Sequence, residues 1–95
     1  MGKYELTVVL DGKATAAKKK RVVEKIKKLI STFKGKVGKV EDWGEKELAF
    51  KIKKSTTGIF LHIPLELNPE AAKAINGKLR LEEEILRYLL VRIGR

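Results

Sequence analysis

Polar and apolar residues alternate from Lys3 to Leu10. Tyr4, Leu6, Val8 and Leu10 fall on one side of an extended chain, and Glu5, Thr7 and Val9 on the other. This is the period of a half-buried strand, and Asp11-Gly12 ends it in a turn. From Thr15 to Phe33 the period lengthens. Val22, Ile26, Leu29, Ile30 and Phe33 recur at three- and four-residue spacing, with Val23 at the margin, which predicts an amphipathic helix. Lys20, Arg21, Glu24, Lys27, Lys28 and Ser31 point away from that stripe. Glu24 is spaced to pair with Lys20 and Lys28, and Gly35 is placed to cap the C-terminus.

Lys36 to Leu67 reads as a β-hairpin. Its first arm, Lys36 to Ile52, carries Val37, Val40 and Trp43 before Gly44, and Leu48, Phe50 and Ile52 after it. Gly44 and its charged neighbours mark a bulge or bend. Lys53 to Gly58 is polar and predicts the loop. The second arm, Ile59 to Leu67, sets Leu61, Ile63, Leu65 and Leu67 against Phe60, His62, Pro64 and Glu66. Pro64 has no amide donor, so an edge or bulge is expected nearby. Asn68-Pro69-Glu70 opens a second helix with a stripe of Ala71, Ala72, Ile75 and Leu79. It is predicted to reach about Arg80 despite Asn76-Gly77, where the glycine costs about 1 kcal/mol. Three glutamates then turn the chain into a last strand, Ile85 to Ile93. That strand is too apolar for a solvated edge, yet Arg87 and Arg92 interrupt it. One face on a core and the other toward a polar or anionic partner would satisfy both.

Strand, helix, strand, strand, helix, strand closes most simply as two right-handed crossovers sharing one sheet. The expected fold is α+β, a ferredoxin-like βαββαβ sandwich: a four-stranded antiparallel sheet with two helices on one face, in a single domain over residues 1–95. Alternation leaves Val9, Phe60, His62, Arg87, Leu89 and Val91 on the uncovered face, a docking surface that is part apolar and part basic.

Charge sharpens that expectation. The formal net charge is +10. Residues 1–54 hold sixteen basic and seven acidic residues, leaving +9, and residues 55–95 hold six and five, leaving +1. Such a surface favours polyanions, nucleic acid above all, through counterion release, although a lysine-rich helix face is also what solvation alone produces. The chain has no cysteine, so no disulfide or thiolate metal site forms. No apolar run approaches the roughly 20 residues of a membrane span, and the start has no signal-peptide pattern. His62 is the only histidine, which excludes any multi-histidine metal centre; a structural or surface role is expected. Glu82-Glu83-Glu84 do not converge on one ion. Asp11-Gly12-Lys13 lacks the glycines of a phosphate loop. No catalytic residues, metal, cofactor or small-molecule substrate are expected. Exposed aromatics suited to base stacking are also poorly supported: Gly58-Ile59-Phe60-Leu61-His62-Ile63 only faintly resembles the aromatic octet of RNA-recognition motifs, and Tyr4 falls on the core side. RNA contact would rest on phosphates and shape.

Several stretches, in order and at matching spacing, resemble the family of the sixth protein of the bacterial small ribosomal subunit. They are Lys3-Tyr4-Glu5-Leu6, the bend Lys39-Val40-Glu41-Asp42-Trp43-Gly44, and Lys46-Glu47-Leu48-Ala49-Phe50 with Ile52. Gly58-Ile59-Phe60, Leu79-Arg80-Leu81 and Ile85-Leu86-Arg87-Tyr88-Leu89-Leu90-Val91 complete the set. The resemblance implies the same ferredoxin-like fold in a ribosomal, cytoplasmic, non-enzymatic protein. It also implies binding to the central domain of small-subunit ribosomal RNA as a heterodimer with the eighteenth small-subunit ribosomal protein. By resemblance, Lys3, Arg80, Arg87 and Arg92 would face RNA, and Trp43, Leu48, Phe50 and Phe60 would meet the protein partner. The chain departs from the family's pattern in its high charge and in Lys51, where a proline is usual. No acidic tail follows Arg95, so no tail modification is expected. Two other readings stand beside this one. One is a stand-alone or engineered ferredoxin-like scaffold without an RNA role. The other is an acylphosphatase-like enzyme, which would want an arginine-bearing phosphate loop that Asp11-Gly12-Lys13-Ala14 does not supply.

Overall fold

The computed structural model describes residues 2–52 and 54–93. The elements are β1 (Gly2–Asp11), α1 (Ala16–Thr32), β2 (Lys36–Val37), β3 (Glu41–Ile52), β4 (Ser55–Leu67), α2 (Pro69–Arg80) and β5 (Arg87–Ile93). β1 lies between β4 and β5, antiparallel to both, and β2 and β3 share the outer edge of β4. The sheet is the ferredoxin-like one with its outer arm divided in two, which makes five strands where four were expected.

One cluster forms the core. Tyr4, Leu6, Val8 and Leu10 of β1 and the odd-numbered residues Ile59 to Leu67 of β4 meet Val22, Ile26 and Ile30 of α1 and Ala71, Ala72, Ile75 and Leu79 of α2. All the strand residues come from one side of the pleat, so both helices cover the same face. The other face carries no helix.

Pro64 explains the divided arm. Gly38 N–H donates to the Pro64 carbonyl at 2.8 Å, and in a strand a residue's N–H and C=O point to the same side. The donor that Pro64 lacks would have faced this neighbour. The ladder is interrupted there: Val37 pairs with Leu65, and pairing resumes at Glu41 opposite His62. The irregularity expected near Pro64 is therefore a gap in the neighbouring strand, while Pro64 itself sits in a central strand.

Three boundaries differ from the sequence reading, one being the last strand, which begins at Arg87 and not at Ile85. The polar stretch expected as a loop is mostly strand, because β4 begins at Ser55 and Thr57 and Gly58 pair with Glu47 and Lys46; Lys53 lies outside the described residues. β-Branched threonines favour the extended chain, and the reversal needs only a tight tip, with Lys54 at φ 69°. The end of α1 also differs. Lys34, at φ 61°, occupies the left-handed position, Lys34 N–H donates to Ser31 O at 2.9 Å and Gly35 N–H to Ile30 O at 2.9 Å. This is a Schellman closure with lysine where glycine is usual. Lys34→Gly is accordingly expected to stabilise the protein by about 0.5–1 kcal/mol, since a left-handed L-residue is strained; the shift in urea midpoint checks it.

Gly35 is required for a different reason. A Cβ there would run into Leu67 Cδ2 and lie 2.7 Å from the backbone oxygen of Glu66. At the other helix ends, Thr15 caps α1 by accepting from Lys18 N–H at 3.1 Å. Asn68 occupies the N-cap of α2 without a side-chain capping bond. Asn76, poor as a helix former, receives the Tyr88 hydroxyl, 2.7 Å from its Oδ1 and 2.9 Å from its carbonyl oxygen, which ties α2 to β5. The pairs expected within α1 are replaced by pairs across the chain: Lys19 with Asp42, Arg21 with Glu84, and Lys25 with Glu82 and Glu84.

Candidate partner and RNA interface

The uncovered sheet face follows from strand register. Its rows run Lys36–Glu66–Lys3–Ile93, then Pro64–Glu5–Val91, then Glu41–His62–Thr7–Leu89, then Gly44–Phe60–Val9–Arg87. Lys3, Glu5 and Thr7, with His62 and Glu66 beside them, make a polar seam. Apolar margins flank it: Leu89, Val91 and Ile93 on β5, and Trp43 and Phe60 on the hairpin side, with Phe50 exposed further along β3 within a second register shift. Leu89 is 62 % exposed, Phe50 81 % and Trp43 46 %.

β5 is the edge strand, and it alternates between exposed and half-buried residues. The expectation that so apolar a strand would avoid a solvated edge does not hold. Its inward residues Tyr88 and Leu90 pack on the core, while the outward ones face solvent. Fully burying one such aliphatic side chain is worth about 1.5–3 kcal/mol, so this row leaves several kcal/mol for a docked partner to recover.

The hairpin margin is built by a bulge. Register slips between Asp42 and Gly44. Asp42 Oδ1 accepts Gly44 N–H at 2.8 Å, and Gly44 sits at φ 84°, a conformation that disfavours any L-residue. The extra residue, Trp43, turns onto the uncovered face. Its indole stacks on the His62 imidazole with centroids 4.7 Å apart and planes 8° from parallel, and its Nε1–H donates to Glu41 at 3.3 Å. His62 Nε2 lies 3.2 Å from Glu5 Oε2. The Lys46 ammonium stands 5.9 Å from the Trp43 ring and 5.8 Å from that of Phe60, a double cation–π arrangement. His62 thus lies on the face where alternation put it, and Glu5 and Lys46 belong to this patch although neither was picked out from sequence. The available signal was that His62 and Phe60 share a face with residues two apart on β1.

Asp42 also anchors the bulge to α1, its Oδ2 lying 3.0 Å from Lys19 Nζ. That ammonium, together with Gly44 N–H, holds the Asp42 carboxyl below its ordinary value of 3.8. A lowered folded-state value means that stability from this group is fully present above the unfolded value and fades as pH falls through the folded one. In an NMR titration the Asp42 midpoint should therefore lie below 3.8 and rise toward it in Lys19→Ala. Because the pair is exposed, the effect on global stability should be at most about 1 kcal/mol.

Leu48 reaches back over the sheet. A Cβ on Gly58 would lie 3.2 Å from Leu48 Cδ2 and 2.6 Å from Val9 Cγ1. Leu48 and Val9 thus close over a glycine that leaves them room, and Val9 is buried although its face has no helix. Of the four hairpin residues expected to meet a protein, Trp43 and Phe50 are the exposed ones, while Phe60 and Leu48 are half-buried beneath the hairpin's own cover.

All four basic residues expected at RNA are exposed, but they form two pairs. Arg80 and Arg87 line one shallow groove of about 300 Å³ where α2 leads into β5. Lys3 lies opposite Ile93, and Arg92 pairs with Tyr4, at the other end of β1 roughly 20 Å away at 3.3 Å per residue. Arg92 also falls on the helix side of the sheet, whereas Lys3 and Arg87 fall on the uncovered side. Among the described residues there is no group of acidic or histidine side chains that could hold a metal ion, and no helix is long and apolar enough to cross a membrane.

Comparison with known proteins agrees with this architecture. The family profile described as Ribosomal protein S6 matches residues 3–92. The small ribosomal subunit protein bS6 of Beutenbergia cavernae is 34 % identical over 92 residues, covering 97 % of this chain and 96 % of that one. The bS6 of Streptomyces griseus is 33 % identical with the same coverage of both chains, 97 % and 96 %. The crystal structure of 30S ribosomal protein S6 from Thermotoga maritima superposes with a TM-score of 0.87 at 27 % identity, over 97 % of this chain and 87 % of that one. With the βαββαβ order, the register and the residue matches all in agreement, the chain belongs to the ribosomal protein S6 family, a structural and non-enzymatic component of the small subunit of the bacterial ribosome.

Proposed function

We propose that the chain binds the central domain of small-subunit ribosomal RNA together with the eighteenth small-subunit ribosomal protein. The observation that carries this reading is the uncovered sheet face, with its apolar margins on β5 and the Trp43–Phe50 hairpin. Solvent is a poor neighbour for Leu89, Val91 and Phe50, whereas a protein surface of similar character is a good one. Arg87 and Arg80 at one end of β5, and Lys3 at the other, border this face with fixed positive charge, and Arg92 adds to the second end from the helix side. RNA crossing the edge strand would be gripped at both ends through its phosphates, and the protein partner would fill the apolar area between them.

The test is binding to a central-domain RNA fragment, with and without the eighteenth protein, across a salt series. Tight, site-specific binding that depends on the partner is the expected result. Weak binding to any RNA, collapsing steeply with salt, would reduce the chain to a basic scaffold.

A further inference from the structure

The helix layer carries a second unfilled surface. Between α1 and α2 runs a groove of about 730 Å³. Its floor is apolar: Leu29, Phe33, Leu79 and Ile85, with Leu81 at one end. Leu29 and Phe33 belong to the stripe of α1 but are only half-buried, because they face this groove and not the sheet. Leu81, just past α2, is 81 % exposed, and nothing in the fold requires a leucine there. The rim is cationic. Lys25, Lys28 and Lys78 line it against one carboxylate, Glu82. Lys25 is engaged by Glu82 at 3.4 Å and Glu84 at 3.5 Å, while Lys28 and Lys78 have no ion-pair partner among the described residues.

An apolar floor suits a hydrophobic protein segment better than nucleic acid, and a lysine rim favours an acidic one. α1 borders the groove from Val22 to Phe33, about 17 Å at 1.5 Å per residue, which is the length of three helical turns. We propose that this groove docks a short acidic amphipathic helix of another protein. Its apolar residues, at three- and four-residue spacing, would lie on Leu29, Phe33 and Leu81, and its flanking carboxylates would reach Lys28 and Lys78. The surface lies on the opposite side of the sandwich from the sheet face and adds a second protein contact to the one proposed above.

The test uses the full chain, labelled with ¹⁵N, and a synthetic helical peptide of about 14 residues with leucine every three or four positions and glutamate on both flanks. Two control peptides carry lysine for glutamate, or glutamine for leucine. The glutamate–leucine peptide is expected to shift the amides of Leu29, Phe33, Leu81 and Ile85 and leave those of Leu89 and His62 in place. Each control should bind at least about tenfold more weakly. Leu81→Asp, and separately Lys28→Glu with Lys78→Glu, should each weaken binding about tenfold; all three positions are exposed, and an unchanged thermal midpoint certifies the fold. Equal binding of either control, shifts centred on the sheet face, or no binding at about 1 mM peptide would each overturn the proposal.

Discussion

Replacing Arg80 and Arg87 together by alanine should weaken binding to small-subunit RNA by about one to two orders of magnitude near physiological salt, with the fold intact. A hydrogen bond to a charged group contributes about 1.5–3 kcal/mol when desolvated, and exposure at a groove rim reduces that. The two side chains share one groove at the head of β5, and neither has an ion-pair partner among the described residues, so their loss breaks no internal ion pair. The slope of log affinity against log salt should fall by about one for each phosphate contact removed. Replacing Lys3 and Arg92 should give a separate and roughly additive loss, because that pair sits about 20 Å away along β1. Filter binding or anisotropy across salt measures both. An unchanged affinity for the Arg80/Arg87 variant would show that the RNA lies elsewhere.

The largest effect on stability is expected at Gly35. Gly35→Ala should cost about 2–3 kcal/mol, at the upper end of what overpacking costs. The added methyl meets the Leu67 side chain, Glu66 O at 2.7 Å and Ile30 Cγ2 at 2.9 Å. The oxygen belongs to a strand bonded on both sides and cannot step aside. Gly77→Ala is the internal control. Nothing lies within 4 Å of its Cβ position, and an exposed helical site should gain about 0.5–1 kcal/mol. Denaturant midpoints of the two variants should move in opposite directions.

The contrast between these glycines marks how far the sequence could be read. Period alone placed β1, both helices and the inward face of β4, because alternation and three-to-four spacing are consequences of backbone geometry. Gly44 was legible as a bulge because Asp42 and Gly44 carry the local chemistry of one. Gly35 was legible as a helix end but not for its reason, since the clash depends on Leu67, which is remote in sequence. Gly58 read as loop for the same cause: the absence of a side chain reserved space for Leu48 and Val9, which only the folded hairpin brings together. The break opposite Pro64 was half-visible, the missing donor being a property of the residue and the gap a property of its neighbour. At the candidate interface, exposure of Leu89 and Val91 followed from alternation on an uncovered face. The stack of Trp43 on His62, and the separation of the basic residues into two pairs, required register that no single strand encodes.

The sheet face without helices is the proposed docking surface for the protein partner. Trp43 is the chain's only tryptophan and stands on that face 46 % exposed, so its fluorescence reports docking there directly. Titrating the eighteenth small-subunit protein, or a tryptophan-free variant of it, should move the Trp43 emission to shorter wavelength and protect it from acrylamide quenching in step with complex formation. A complex that forms while Trp43 emission and quenching stay as in the free chain would contradict it.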